Sequence, residues 1–289
     1  MNDCPHAPPL RGSLPPEGAD LPWDGPAAGL VSPHASPLRG SLPPEGADPA
    51  WERPGAGSGT AEPVTTFQFD GQPVPLQPGD TILQAAQRAG HEVPHLCWHP
   101  EVSASASCRV CTVHVDGRPV AACTTAAAAG QRVDCHTAGL RAQRLRLLQM
   151  LFVEGNHFCP GCEKSGNCLL QEQAERAGMT DLHYETLNPE RPVDASHPDV
   201  LFEPNRCILC QLCVRASDEI DGKQVFAIGG HGIATHLLIN SASGRLGDSA
   251  IAVTDRAANI CPVGALLPKR VGFAVPIGQR TFDDQETRG

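Results

Sequence analysis

The chain has little from which to build one large apolar core. Aromatic residues make up 4% of its 289 residues, with a single tyrosine, so the side chains that bury most area each are scarce. Positive charge is in deficit: 22 Lys and Arg stand against 32 Asp and Glu, a formal net charge of −10. No basic footprint is left to neutralise phosphates, which argues against a nucleic-acid partner. No stretch approaches the roughly 18 apolar residues needed to span a bilayer. Met1–Leu10 lacks the charged and then apolar pattern of an export signal. The expectation is therefore a cytoplasmic protein with no membrane span. A G-x-G-x-x-G fingerprint for a dinucleotide is missing too, as is any acid–base constellation, so no catalytic residue is expected on this chain.

What is abundant is cysteine, 13 in all. In a cytoplasmic chain these read as metal or redox ligands, not as a disulfide framework. Twelve candidate ligands fall into three groups. The central one, N-H-F-C-P-G-C-E-K-S-G-N-C-L-L at Asn156–Leu170, sets His157, Cys159, Cys162 and Cys168 at H-x-C-x2-C-x5-C spacing. Soft ligands this close converge on a metal or cluster, because neighbouring disulfides would strain so turn-rich a loop. Taken alone, these four could also hold zinc.

Upstream, Cys97, Cys108, Cys111 and Cys123 are spaced C-x10-C-x2-C-x11-C. The loop between the first two is mostly small residues, which let backbone N–H groups approach bridging sulfides. Arg109 adds positive charge there. Strands are expected at Thr65–Phe69 and Val74–Leu76 about an Asp70-Gly71 turn, and at Arg109–Val115 and Val120–Thr125 about Asp116-Gly117. A helix at Thr81–Ala89 and a last strand at Gln131–Cys135 complete a small β-grasp sheet. Four thiols in this order on such a sheet form the pattern of a [2Fe–2S] ferredoxin domain; a zinc ribbon is the alternative, but it prefers paired knuckles. Downstream, Cys207, Cys210 and Cys213 form C-x2-C-x2-C, with Cys261-Pro262 as a remote fourth thiol, the logic of a [4Fe–4S] ferredoxin site. Its insert carries strand-like stretches at Gln224–Ile228 and Thr235–Asn240. Only Cys4 and Cys135 are left over, and Cys135 is expected to be a small packed strand residue. His95, His99 and His114 lie near these groups and receive no ligand role.

The fold class expected is α+β in four parts. Residues 1–62 are a Pro- and Gly-rich tail in which L-R-G-S-L-P-P-E-G-A-D occurs at Leu10–Asp20 and again at Leu38–Asp48; disorder is the expectation there. Cys4, Trp23 and Trp51 lie in it without assigned chemistry. Residues 63–139 form the [2Fe–2S] domain. Residues 140–190 form a helical [4Fe–4S] segment with one histidine and three cysteine ligands. Residues 191–289 form a small α+β domain with a four-cysteine [4Fe–4S] site and a C-terminal extension. Leu140–Val153 reads as an amphipathic connector helix with Arg141, Arg144 and Arg146 facing water, and Leu169–Ala177 as a short helix.

Three such sites in this order resemble the N-terminal part of the large iron–sulfur subunit of respiratory complex I. They resemble more closely the small diaphorase subunits of soluble NAD-reducing [NiFe]-hydrogenases. P-H-L-C-W at Pro94–Trp98 and C-R-V-C at Cys108–Cys111 match the shared ferredoxin signature. His157 lies two residues before Cys159, as in the diaphorase form, and not four as is typical of complex I. Beyond C-P-V-G-A-L the chain reads K-R-V-G-F-A-V-P-I-G-Q-R without a molybdopterin-type domain. The resemblance covers about Val64–Asp283. It implies one [2Fe–2S] and two [4Fe–4S] clusters, and a relay between a flavin- and NAD(H)-binding diaphorase subunit and the hydrogenase small and large subunits. The equivalent subunit of an NAD-dependent formate dehydrogenase, or a short complex-I-like relative, is the next reading; a zinc-stabilised scaffold is one of another class. Ala106 departs from the signature, which usually has Gly there. If that position needs a positive φ, Ala costs about 1 kcal/mol.

Overall fold

The computed structural model describes residues 65–273, 275, 276 and 279. The duplicated tail with Cys4, Trp23 and Trp51, and the last residues, lie outside these.

The first region is a five-stranded sheet. Strands β1 (Thr66–Phe69) and β2 (Gln72–Pro75) pair antiparallel, as do β3 (Thr112–Val115) and β4 (Arg118–Ala121). Both hairpins turn at Asp-Gly pairs with positive φ, Asp70-Gly71 and Asp116-Gly117, the backbone this turn requires. Strand β5 (Arg132–Asp134) joins the hairpins, parallel to β1 and antiparallel to β3, giving the order β2-β1-β5-β3-β4. Helix α1 (Ile82–Arg88) starts at a capping box in which Thr81 and Gln84 satisfy each other's backbone N–H groups. It buries Ile82, Leu83, Ala85 and Ala86 against Phe67, Phe69, Val113 and Val133. The expected strands and helix are present; β1, β3, β5 and α1 are shorter at their ends than expected, while β2 and β4 each begin two residues earlier.

Helix α2 (Ala138–Glu154) follows, capped by the Thr137 side chain. Here the structure corrects the sequence reading. Arg141 and Arg146 are exposed, but Arg144 is buried, with 5% of its surface accessible. Its guanidinium donates to the carbonyls of Val110 at 3.1 Å, Cys135 at 2.8 Å and Thr112 at 2.7 Å. Thr112 and Cys135 lie just beyond the paired stretch of the two inner strands β3 and β5, and the fork of Arg144 satisfies their carbonyls together with that of Val110. Helix α3 (Leu169–Arg176) comes next, buried through Leu170, Gln173 and Ala174.

The last region is built on short elements. Strand β6 (Val200–Phe202) pairs with β9 (Leu266–Pro268), and β7 (Phe226–Gly229) with β8 (His236–Ile239), both antiparallel. Between them lie α4 (Leu212–Glu219) and the one-turn α5 (Arg256–Asn259). The β7–β8 hairpin matches the expected insert sheet within two residues. The β6–β9 pair was not anticipated, and it draws the Cys261 segment back beside Cys207. One apolar cluster runs from Leu96 and Val110 through Leu148 and Leu170 to Leu212, Ala258 and Leu266, so α2, α3 and the last region share a core.

Candidate metal centres

The first set closes on itself. Cys97 lies in the loop after α1, Cys108 and Cys111 lead into β3, and Cys123 follows β4. The β3–β4 register pairs Thr112 with Ala121, and the Ala122 N–H donates to the Cys111 carbonyl at 3.1 Å. That places Cys111 Sγ 3.4 Å from Cys123 Sγ, well beyond the roughly 2.05 Å of a disulfide. Across the site the Cys108 N–H donates to Cys97 Sγ at 3.4 Å. Positive φ at Ala106 (55°) and Arg109 (57°) folds the small-residue loop back to make that approach. The crowded thiols divide into two kinds. Cys97 is held far below the ordinary thiol range because Cys108 and Cys123 donate to it, and Cys111 falls to about 7 because Cys123 donates to it. Cys108 and Cys123 are pushed up as the donors. Such mutual dependence is what a polynuclear centre relieves, by replacing shared protons with metal.

The second set lines one cavity. His157, Cys159, Cys162 and Cys168 all face it, together with Phe158, Gln171, Arg206, Val263 and Gly264. Gly155 ends α2, Cys159–Gly161 form a single 3-10 turn and Cys168 precedes α3. Among the described residues, His157 Nε2 is the buried side-chain nitrogen with no hydrogen-bond partner. Burial pushes the imidazole down to about 4; a hydrogen bond to the Leu151 backbone opposes this and the Arg206 charge adds to it. The ring is therefore neutral, oriented by that carbonyl, with a bare lone pair aimed into a thiol-lined cavity. That is how a metal-ligating histidine is prepared. Burial also raises Cys159, and raises Cys168 to about 11. Two glycines make room. A Cβ on Gly264 would stand 2.4 Å from Cys162 Sγ, and one on Gly155 would stand 2.6 Å from His157 Nε2.

The third set lines another cavity. Cys207, Cys210, Cys213 and Cys261 are its polar wall, and Phe202, Ile208, Leu209, Ile228, Leu237, Val263 and Leu266 make up most of the remainder. Leu209 and Gln211 take positive φ, 52° and 62°, which winds the C-x2-C-x2-C run into a tight loop. Burial raises Cys207 to about 11, and raises Cys210 and Cys213 further still. Neutral thiols are the cheaper form in so apolar a pocket, and a cation offsets the cost of deprotonating them. In all three sets the donors present fit an iron–sulfur cluster.

Cys135 stays apart. It is fully buried beside β5, its thiol accepts from Arg144 Nη2 at 3.3 Å, and burial pushes it up to about 11. Its ligand atom comes within 4.8 Å of those of Asp70 and His136. Asp70, however, already accepts the Cys135 N–H at 2.7 Å and His136 Nδ1 at 2.7 Å, and the guanidinium at the thiol opposes a second cation. Among the three unassigned histidines, His99 lies with Nε2 3.0 Å from Arg256 Nη2. The residues that sequence reasoning missed are Gly155, Arg206 and Gly264. Only the glycine in C-P-V-G-A carried a visible signal, as a small residue beside a candidate ligand.

Three family models match in the same order as the three sets. A 2Fe-2S iron-sulfur cluster binding domain matches residues 62–138, the NADH-ubiquinone oxidoreductase-G iron-sulfur binding region residues 144–183, and a 4Fe-4S single cluster domain residues 200–267. Fold and sites thus define an iron–sulfur electron-transfer protein of mixed α and β structure, with 2Fe–2S and 4Fe–4S ferredoxin-like domains. The gamma subunit of the NAD-reducing hydrogenase HoxS of Cupriavidus necator is 35% identical over 224 residues, 76% of this chain and 93% of that one. A chain in the crystal structure of an NAD+-reducing [NiFe]-hydrogenase in the H2-reduced state is 56% identical, with a TM-score of 0.73, over 75% of this chain and 93% of its own length. The mitochondrial 78 kDa subunit of the NADH-ubiquinone oxidoreductase of Candida albicans is 32% identical over 71% of this chain but only 28% of its own length. The chain belongs to the family of NAD-reducing hydrogenase gamma subunits. Among the described residues no helix is long and apolar enough to cross a membrane.

Proposed function

We propose that this chain is the iron–sulfur relay subunit of a cytoplasmic NAD-reducing hydrogenase complex. It would stand between a flavin-containing diaphorase subunit that exchanges hydride with NAD(H) and the hydrogenase small and large subunits. The five-stranded sheet is read as a β-grasp domain, within residues 63–139, holding a [2Fe–2S] cluster on Cys97, Cys108, Cys111 and Cys123. Residues 140–190 would hold a [4Fe–4S] cluster on His157, Cys159, Cys162 and Cys168. Residues 191–289 would hold a second on Cys207, Cys210, Cys213 and Cys261. The observation that carries this reading is the orphaned Nε2 of His157 inside a cavity with three thiols.

When bound, the clusters supply one-electron redox chemistry. The chain's own part is to fix ligand geometry, keep water out and set the surrounding charge. Its residues also arrange the sites. Arg215 bonds the Cys97 and Cys210 carbonyls together, so the first and third sets adjoin. Val263 lines the third cavity and the second. The spatial order supported is first, third, second, with no ligand needed from another chain.

Purified with its partners, the complex should be brown, bleach with dithionite and give three distinct EPR signals. The flavin subunit and both hydrogenase subunits should co-purify, with H2-dependent NAD+ reduction. Zinc in place of iron would overturn the cluster reading, and formate-dependent or quinone-linked activity without a hydrogenase partner would favour a formate dehydrogenase or complex-I-like assembly instead. His157→Cys should keep the second cluster at a lower potential or fail to assemble it, since a thiolate adds negative charge where imidazole adds none.

A further inference from the structure

Arg215, on α4, sits where the first region meets the third cysteine loop. Its Nη2 donates to the carbonyl of Cys97 at 2.8 Å and to that of Cys210 at 3.1 Å. Nη1 donates to the Ser103 carbonyl, and Nε to the Gln211 carbonyl at 3.2 Å. Cys97 and Cys210 belong to different sets, so one guanidinium holds a ligand residue of each. All four acceptors are uncharged. The acidic group whose charge acts on it is Glu219 on the same helix; its neighbour Asp218 accepts from Gln224 Nε2 at 2.8 Å, and both are at the surface. Glu219 is itself turned to the Ser103 N–H at 2.7 Å and to the Ser103 hydroxyl. Water screens these carboxylates more than the half-buried guanidinium between the two loops.

We propose that Arg215 is a positioning residue that locks the first and third cluster sites at a fixed separation and stabilises the reduced form of both. The proposal rests on the ligand sets given above. Reducing a thiolate-bound cluster adds one negative charge, and a cation bonded to a ligand residue's own carbonyl lowers the energy of that state. The planar fork of arginine reaches both carbonyls at once; a lysine ammonium offers the charge without the fork. Arg215 has no such bond to the second set, which makes that site an internal control.

The test uses the assembled complex with Arg215→Gln and Arg215→Lys, after iron content and three EPR signals have been established in the unaltered protein. That first measurement alone decides the ligand sets. EPR-monitored redox titration of Arg215→Gln should then move the first and third midpoint potentials to more negative values and leave the second in place. Arg215→Lys should restore both potentials towards the unaltered values, while the magnetic interaction between the two clusters, which reads their separation, changes. Unshifted potentials in Arg215→Gln, or an equal shift of all three, would overturn the proposal. Loss of iron from both variants would overturn it as well, by showing a clasp needed only for folding.

Discussion

The first and second cysteine sets differ in where their walls come from. All four thiols of the first lie within residues 97–123; Cys111 and Cys123 sit in the sheet's own apolar cluster, while Cys97 and Cys108 pack against the core shared with the last region. The second set is short in sequence but closed by borrowed parts, Arg206, Val263 and Gly264. The backbone repeats the pattern: the Asn156 N–H donates to the Asn205 carbonyl at 2.8 Å, and the Leu169 N–H to the Pro262 carbonyl at 2.9 Å. A site made from its own segment should tolerate damage elsewhere. A site with borrowed walls should fail with its lender.

The largest test of that contrast is Cys261→Ala. It removes the remote thiol of the third set, and the segment it opens is the one that walls the second. The third signal should vanish, the second become labile and the first fill normally. H2-driven NAD+ reduction should collapse in the assembled complex, while NADH-driven dye reduction at the flavin end survives. Full H2-to-NAD+ activity with verified loss of the third cluster would remove that site from the electron path; loss of the first cluster as well would end the contrast.

Arg144→Leu probes the first set from its support. It strands three buried carbonyls, and each unsatisfied group costs about 1–3 kcal/mol. The first cluster's EPR signal should disappear at a markedly lower temperature on heating, with the second and third little changed. Equal weakening of all three would show that α2 binds the whole molecule and not the end of the β3–β5 pair alone.

Gly264→Ala is milder and tests the borrowed wall. Its Cβ would meet Cys162 Sγ at 2.4 Å, and overpacking of this kind costs about 1–3 kcal/mol. Iron should leave the second site faster under chelator challenge, at an unchanged rate from the first. An unchanged rate at the second site would mean that its wall yields, and that the site is less dependent on its lender than the cavity suggests.

The same contrast separates what the sequence made legible from what it hid. The hairpins were readable because Asp70-Gly71 and Asp116-Gly117 impose their turns locally, and α1 because Thr81 caps it and Gly90 follows it. The ligand sets were proposed from spacing alone, and for the second and third sets the cavities gather the same side chains. The burial of Arg144 was not readable. Helical spacing put it among arginines on a solvated face, and only the arrival of three carbonyls, those of Thr112 and Cys135 brought together by the antiparallel β3–β5 pairing, makes burial favourable. The β6–β9 pair was hidden for the same reason, since two three-residue strands separated by most of a domain carry no local signal. Gly264 was visible as a small residue, but the thiol it makes room for lies in another segment.

The smallest effect belongs to Ala106→Gly, and its sign is the informative part. Ala106 has φ of 55°, a conformation that costs a residue with a Cβ roughly 1–2 kcal/mol. Glycine removes that strain but enlarges the entropy of the unfolded chain, returning about 0.4–1 kcal/mol. The Ala106 methyl is also half-buried against the first apolar cluster, so part of a methyl's roughly 0.8 kcal/mol of burial is lost. These terms nearly cancel and leave a net gain of about 0.5 kcal/mol or less, equivalent to about 2–4 °C for a domain of this size. The expected result is a slightly higher temperature for loss of the first cluster's visible absorption, with the second and third sites unmoved. A clear fall instead would mean that the methyl's packing outweighs the backbone strain. The first site would then owe its self-sufficiency to contacts inside the small-residue loop as well as to the sheet beneath it.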